Sequence, residues 1–262
     1  MSFFEAVLLG FLQGITEFLP VSSSGHLVIA RQFLAIRDIP ILFDVLLHVS
    51  TLLVVSLVFR AGIVRLICSF FRLVTLRSVD SEDRGTIFAI IVATFVTAVL
   101  GLTVESFSPG EHPRLVAGLF LVTGAILFLP KVLSWGGGSR VPGITTGLIV
   151  GAAQGLGVFP GISRSGITIT ASQGAGLSRE RAGEFAFIIS IPAILGALVL
   201  TLRDLESLSG RIDLPGLAGG MLSSFVVGYI SLKLLLRLVR RGNLHYFSFY
   251  LVPLGLISLF LF

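Results

Sequence analysis

Three ionisable side chains stand in stretches of chain that are otherwise almost free of charge. Glu17 lies within LLGFLQGITEFLPVSSSGHLVIA, which begins at Leu8, and His26 follows it in the same stretch. Arg164 lies within IVGAAQGLGVFPGISRSGITITA, which begins at Ile149. In a bilayer an ionisable group costs ~2.5–3.5 kcal/mol even on the lenient insertion scale, so it normally faces a cavity and has a partner. An acid, an imidazole, a guanidinium and clustered hydroxyls are equipment for proton transfer and for holding an anion such as phosphate. The plainer alternative is a structural ion pair between Glu17 and Arg164.

Spacing sharpens this. Gln13 and Glu17 are four apart and share a helix face. Pro20 helps to end that helix. Ser22, Ser23 and Ser24 then form a hydroxyl-rich turn, with Gly25 permitting a bend and His26 beyond it. Serines ahead of a helix commonly cap it, which is an ordinary use for Ser22 or Ser24. Three in succession exceed what capping needs. In the second stretch, Pro160-Gly161-Ile162-Ser163-Arg164-Ser165-Gly166 leads into a further helical run containing Thr168. Hydroxyls, free amides and the positive end of the following helix converge there, and Arg164 adds a fork matched to phosphate oxygens. A carboxylate would suit the same break. Gly161, Ser163, Ser165, Gly166 and Thr168 are the expected anion-contacting positions, with Ser22 and Ser24 from the first break.

Other candidates are weaker. Asp44 and His48 share a helix face and could support a metal or orient a ligand, or simply form a solvated helix end. His112 and His245 read as interfacial. Arg179, Glu180, Arg181 and Glu184 read as an ion-paired turn, with Arg179 near enough in sequence to warrant testing. No Walker loop, zinc-binding HExxH or dinucleotide fingerprint is present.

The elements that position these residues must be membrane helices. The chain has 262 residues, 54% hydrophobic and 13% charged, about half the charge of a soluble domain at roughly 25%. Its mean hydropathy is +1.00. The net charge of +5 would suggest nucleic acid in a soluble chain, but the basic residues fall in short gaps between apolar runs, where they set orientation. Cys68 is the single cysteine, so no internal disulfide forms. The amino terminus carries Glu5 without Lys or Arg, unlike a cleavable signal.

Six runs are long enough to span a bilayer: 41–59, 86–104, 115–133, 185–202, 214–236 and 244–262. The stretches 3–30 and 144–177 are apolar but interrupted. Arg60, Arg65, Arg72, Arg77 and Arg84 crowd the loop after the first span. Lys131 and Arg140 follow the third, and Arg237, Arg240 and Arg241 the fifth. The loops with Arg114, and with Arg203 and Arg211, are poorer. The rich side is therefore assigned to the cytoplasm. On that count 144–177 begins and ends inside, so it crosses twice or, as its two half-length arms favour, re-enters.

The two interrupted stretches are also copies. A shift of 141 aligns Gly10, Gln13, Gly14, Phe18, Ser22, Ser24 and Gly25 with Gly151, Gln154, Gly155, Phe159, Ser163, Ser165 and Gly166. Three spans lie between them, and an odd number inverts the second copy. The expected fold is all-α: a polytopic membrane protein with six transmembrane helices plus two re-entrant helical hairpins in inverted-topology repeats, of about 1–140 and 141–262, within one membrane domain. Irregular backbone at bilayer depth must be buried in protein or line a cavity, so the two hairpin tips are expected to meet.

Residues Gln13 to His26, QGITEFLPVSSSGH, resemble the glutamate-rich signature of the bacterial undecaprenyl pyrophosphate phosphatase, or bacitracin-resistance, family. Pro160 to Thr168, PGISRSGIT, resemble its phosphate motif. Ser178-Arg179 and Glu184-Phe185 are similar to the family as well. The first motif position takes Glu or Gln, so Gln13 is a permitted variant, though it weakens any scheme needing two carboxylates. The resemblance spans the chain and implies hydrolysis of undecaprenyl diphosphate to the monophosphate carrier of cell-wall synthesis. It also implies a divalent cation, Mg²⁺ or Ca²⁺, and a site open to the periplasm of a bacterial plasma membrane.

The expected partners are thus a polyprenyl diphosphate lipid and the membrane, with no nucleic acid; homo-oligomer formation is left open. On that basis Arg164 and the hairpin amides would hold the terminal phosphate. Glu17 with Gln13 would position the cation. The nucleophile is either Ser23, activated by His26 or Glu17, or a water activated by the same groups. The rival reading is a transporter or flippase of the same lipid, since inverted repeats with midplane sites are a transporter architecture.

Overall fold

The structure, a computed structural model, describes residues 2–33, 41–107, 110, 112–203 and 214–262. These form twelve α-helices and one 3-10 turn, with no strand among the described residues. The helix α1 (Phe3–Phe18) starts from a capping box in which Ser2 Oγ accepts from the Glu5 amide and Glu5 returns a carboxylate oxygen to the Ser2 amide. It stops where Leu19 turns extended ahead of Pro20. α2 (Ser23–Phe33) follows, then α3 (Ile41–Val58), α4 (Arg60–Val74), α5 (Ser81–Glu105) and α6 (Pro113–Val132).

The second half opens with α7 (Ile144–Leu156) and α8 (Arg164–Gly174). α9 (Arg179–Ile188), α10 (Ser190–Arg203), α11 (Leu214–Arg240), the 3-10 turn Leu244–Phe247 and α12 (Ser248–Leu261) complete it. Five helices, taking α9 and α10 as one run, are long and apolar enough to cross a membrane among the described residues. There are six if α3 and α4 count as one bent span. The interrupted stretches are the helix pairs α1–α2 and α7–α8.

Two expectations are corrected. The charged segment after the first span is not a loop: it is α4, an amphipathic helix turned 85° from α3. Arg179, Glu180, Arg181 and Glu184 are not a self-paired turn, because Ser178 caps them into the first turns of α9. From there Arg181 reaches Glu82 of α5 at 3.1 Å, and Glu180 meets Arg240 of α11 at 2.8 Å. His245 lies at the start of the last span, buried in the protein with its Nε2 3.0 Å from Lys131 Nζ. His112 is exposed at the start of α6. Arg211, one of the cations of the poorer loops, lies outside the described residues.

Helices in lipid gain little from hydrophobic exclusion, so close packing depends on small residues that let backbones approach. α1 lies on α11 in this way: a Cβ on Gly14 would come within 2.7 Å of the Ser224 carbonyl oxygen. α7 lies on α5 likewise, a Cβ on Gly151 falling 2.7 Å from Ala93 Cα. α6 packs on α12 and α3 on α10. Each half therefore lends its first helix to the other half. Between them runs an apolar core containing Phe18, Phe120, Leu127, Ile169, Phe187 and Leu232.

Candidate active site

The breaks after α1 and α7 touch. Ser22 sits at φ 71, a left-handed conformation uncommon outside glycine. Its buried Oγ accepts the Gly25 amide at 3.3 Å and, from the other break, the Gly161 amide at 2.9 Å. Gly161 is at φ +99, and a Cβ there would meet Leu119 Cβ at 2.7 Å. A Cβ on Gly25 would meet the Gly161 amide nitrogen at 2.8 Å, and one on Gly166 would meet Pro20 Cβ at 3.1 Å. The 141-residue shift exchanges these last two contacts, Gly25 with Gly166 and Pro20 with Gly161. It also relates the caps: Ser163 Oγ accepts the Gly166 amide at 3.1 Å, as Ser22 Oγ accepts that of Gly25.

Beside this junction Glu17 of α1 is paired with Arg164 at the start of α8, the guanidinium donating to Oε1. The Glu17 side chain is only 8% exposed, against 26% for Arg164. Its other oxygen, Oε2, accepts from Ser23 Oγ at 2.6 Å and from Gln13 Nε2 at 3.1 Å. His48 of α3 brings Nε2 to 3.6 Å of Oε2, with Nδ1 donating to the Asp44 carbonyl at 2.9 Å. One carboxylate thus has a base's reach to a serine hydroxyl, a guanidinium on its far oxygen and an imidazole alongside. Glu17 and Arg164 also border a small, partly open cavity lined further by Thr51, Ser165, Thr168 and Ser190.

The remaining expected residues fall into two groups. Ser163, Ser165, Gly166 and Thr168 surround the start of α8: Ser163 Oγ is 3.2 Å from Ser165 Oγ, and Thr168 Oγ1 donates to the Arg164 carbonyl at 2.7 Å. Ser24 is half-buried beside Ser23. Ser22 and Gly161 instead hold each other, so the Gly161 amide is engaged by protein rather than turned free to an anion. His26 points elsewhere too. Its Nδ1 is 2.8 Å from the Ser22 carbonyl, which can only accept. A neutral ring then takes at Nε2 the Tyr250 hydroxyl proton, 2.8 Å away. Tyr250 of α12 stacks on the ring at 5.7 Å and Phe120 meets it edge-on at 5.2 Å. Of the two bases open to Ser23, the structure places Glu17 against it.

A divalent cation needs hard oxygens, and among the described residues no group of three His, Cys, Asp or Glu side chains gathers. Magnesium, however, is commonly held by one or two carboxylates with substrate phosphates supplying the rest. Glu17 fits that demand, and the buried amide oxygen of Gln13 has no hydrogen-bond partner. Arg179 stays outside the cavity, packed over Gly136 and Gly242.

Thr51, Ser190 and Tyr250 enter the site or its support without having been singled out in the sequence, and His48, one of the weaker candidates there, joins them beside Glu17. His48 and Thr51 lie three apart on α3, a spacing that puts both on one face. Nothing local in the sequence points to Tyr250, 224 residues from His26.

Comparison with known proteins gives the family. Residues 6–257 match the family model described as Bacitracin resistance protein BacA. The chain is 47% identical over 258 residues to a protein of Treponema denticola named undecaprenyl-diphosphatase, covering 98% of this chain and 96% of that protein. Proteins of the same name from Borrelia recurrentis and Korarchaeum cryptofilum are 37% and 40% identical, each with 98% of both chains covered.

Proposed function

This chain belongs to the bacitracin resistance protein BacA family, and from that premise we propose that its composite site hydrolyses undecaprenyl diphosphate to undecaprenyl phosphate and orthophosphate. The observation that carries the site assignment is the meeting of Glu17 from one break with Arg164 from the other, Ser23 held at 2.6 Å from the same carboxylate. The relatives bear the name of a phosphatase, and the lipid-moving alternative is not favoured.

Phosphoryl transfer asks mainly for positioning and charge stabilisation. Arg164 takes the terminal phosphate with its planar fork, supported by the hydroxyls of Ser163 and Ser165, Thr168 and the positive end of α8. Phosphate oxygens compete with Glu17 for the guanidinium, so substrate arrival loosens the Glu17–Arg164 pair and leaves the carboxylate a stronger base. Glu17 then accepts the Ser23 proton as Oγ bonds to the terminal phosphorus and the bridging bond breaks, releasing undecaprenyl phosphate. Water cleaves the phosphoserine to orthophosphate. Direct attack on the terminal phosphorus by a water that gives its proton to Glu17 is the alternative that the absence of a trapped phosphoserine would favour. Glu17 and the Gln13 amide oxygen would hold a divalent cation, Mg²⁺ or Ca²⁺, whose charge offsets that of the phosphates. His26 holds the first tip through Ser22 and Tyr250.

The halves 1–140 and 141–262 are inverted repeats; the exchanged tip contacts and the crossed packing of α1 on α11 and α7 on α5 support this. The arginine-rich ends face the cytoplasm of a bacterial plasma membrane and the Glu17 cavity opens outward. Orthophosphate release from undecaprenyl diphosphate by the purified chain in detergent tests the reading. Arg164→Ala should lower turnover about 10²–10³-fold, the loss typical of removing a transition-state donor. Wild-type turnover in that variant removes Arg164 from the mechanism.

A further inference from the structure

We propose that α4 is an in-plane helix that gathers anionic phospholipid on the arginine-rich face of the protein. Successive residues of an α-helix step by about 100°, which sorts α4 into three sides. Leu66, Ser69 and Leu73 turn inward: Leu66 packs with Ile87 of α5 and Ile188 of α9, and Ser69 Oγ donates to Asp83 at 2.7 Å. Val64, Ile67, Phe70, Phe71 and Val74 form a second side with nothing over it, Phe71 being 62% and Val74 63% exposed. Arg65, Cys68 and Arg72 make the third, also exposed. A helix turned 85° from the apolar helix α3, with one side on protein, one bare and apolar and one cationic, has the amphipathic pattern of segments lying at the acyl–headgroup boundary.

Charge says what covers the outer side. Of the acids near α4, Asp80 caps α5, Glu82 pairs with Arg181, Asp83 holds Arg65 at 3.3 Å with Ser69, and the Glu184 carboxylate lies against Gly62, at the opposite end of α4 from Arg72. Arg72, Arg77 and Arg84 are exposed and have no carboxylate partner among the described residues. Three arginines beside a hydrocarbon-facing stripe complement phosphate-bearing headgroups. A basic residue near an anionic leaflet contributes ~1 kcal/mol, about fivefold in local enrichment per residue. The inference concerns a surface apart from the Glu17 cavity and does not depend on which leaflet faces the cytoplasm.

Cys68, exposed on α4 and the sole cysteine, provides the readout. The full chain, labelled there with a fluorophore, is placed in phosphatidylcholine vesicles doped with either brominated phosphatidylglycerol or brominated phosphatidylcholine. Stronger quenching by the glycerol lipid is expected, with the preference abolished by high salt and by R72Q/R77Q/R84Q, while R72K/R77K/R84K keeps it. Orthophosphate release by both triple variants should match wild type, showing that they fold. Equal quenching by the two lipids in the wild type, or a preference surviving the glutamine triple variant, overturns the proposal. So does the lack of quenching by either lipid, which is what a second protein copy over the apolar stripe would produce.

Discussion

At the scale of single residues, Glu17 is the point through which the site is organised. It touches the hydroxyl of Ser23, the proposed nucleophile, the guanidinium of Arg164, proposed to hold phosphate, an amide and an imidazole. Removing its basicity while keeping its shape, Glu17→Gln, should cost about 10²–10⁴ in turnover, and Ser23→Ala should abolish any phosphoserine trapped by rapid acid quench from the wild type. A phosphorylated chain recovered from Ser23→Ala would place the nucleophile elsewhere. Ser22 makes a different forecast. Its oxygen serves two buried amides, and an unpartnered buried donor costs ~1–3 kcal/mol. Ser22→Ala should therefore lower the thermal midpoint in detergent, and an unchanged midpoint would show that the tips do not depend on that tie.

Much of this was readable beforehand. Glu17, Ser23 and Arg164 announce themselves because charge and hydroxyls are conspicuous in apolar stretches. The pairing of Ser22 with Gly161, and the turning of His26 to Tyr250, follow from contacts between distant parts of the chain that no local spacing encodes.

At the scale of elements, the interrupted stretches do their work by being held in place. α1 seats on α11 and α7 on α5 where glycines leave room for backbone alone. Filling such a seat with a bulky side chain, as in Gly14→Leu or Gly151→Leu, should destabilise by at least the ~1–3 kcal/mol typical of overpacking. Gly118→Ala and Gly196→Ala, whose added Cβ meets nothing within 4 Å, should leave the protein as stable as before or slightly more so, since alanine favours helix. Thermal unfolding of these four variants separates packing glycines from incidental ones; equal losses in both pairs would contradict the seating.

The spans were legible from run length and the interruptions from Pro, Gly and Ser. α4 was not, because arginines that set orientation also disguise an amphipathic period as a charged loop. The cap that makes Arg179 to Glu184 a helix is a single serine, Ser178, easily passed over.

At the scale of the whole molecule, the two interrupted stretches share their caps and tip contacts but not their chemistry. Under the 141-residue shift Glu17 corresponds to Val158, His26 to Ile167, and Arg164 to Ser23. One half kept an acid and an imidazole, the other a guanidinium, and only their junction carries both. The proposed duplication thus accounts for one composite site rather than two. On the proposed orientation, with the Glu17 cavity outward, Cys68 on the arginine-rich side should resist a membrane-impermeant maleimide in intact cells and react in inverted vesicles. The reverse pattern would invert the orientation.

The junction itself is tested by comparing orthophosphate release by Glu17→Ala, Arg164→Ala and the double variant. Residues that act as one unit lose activity non-additively, so the double variant should be about as slow as the slower single one. Losses that multiply would mean that the acid and the guanidinium work in separate places.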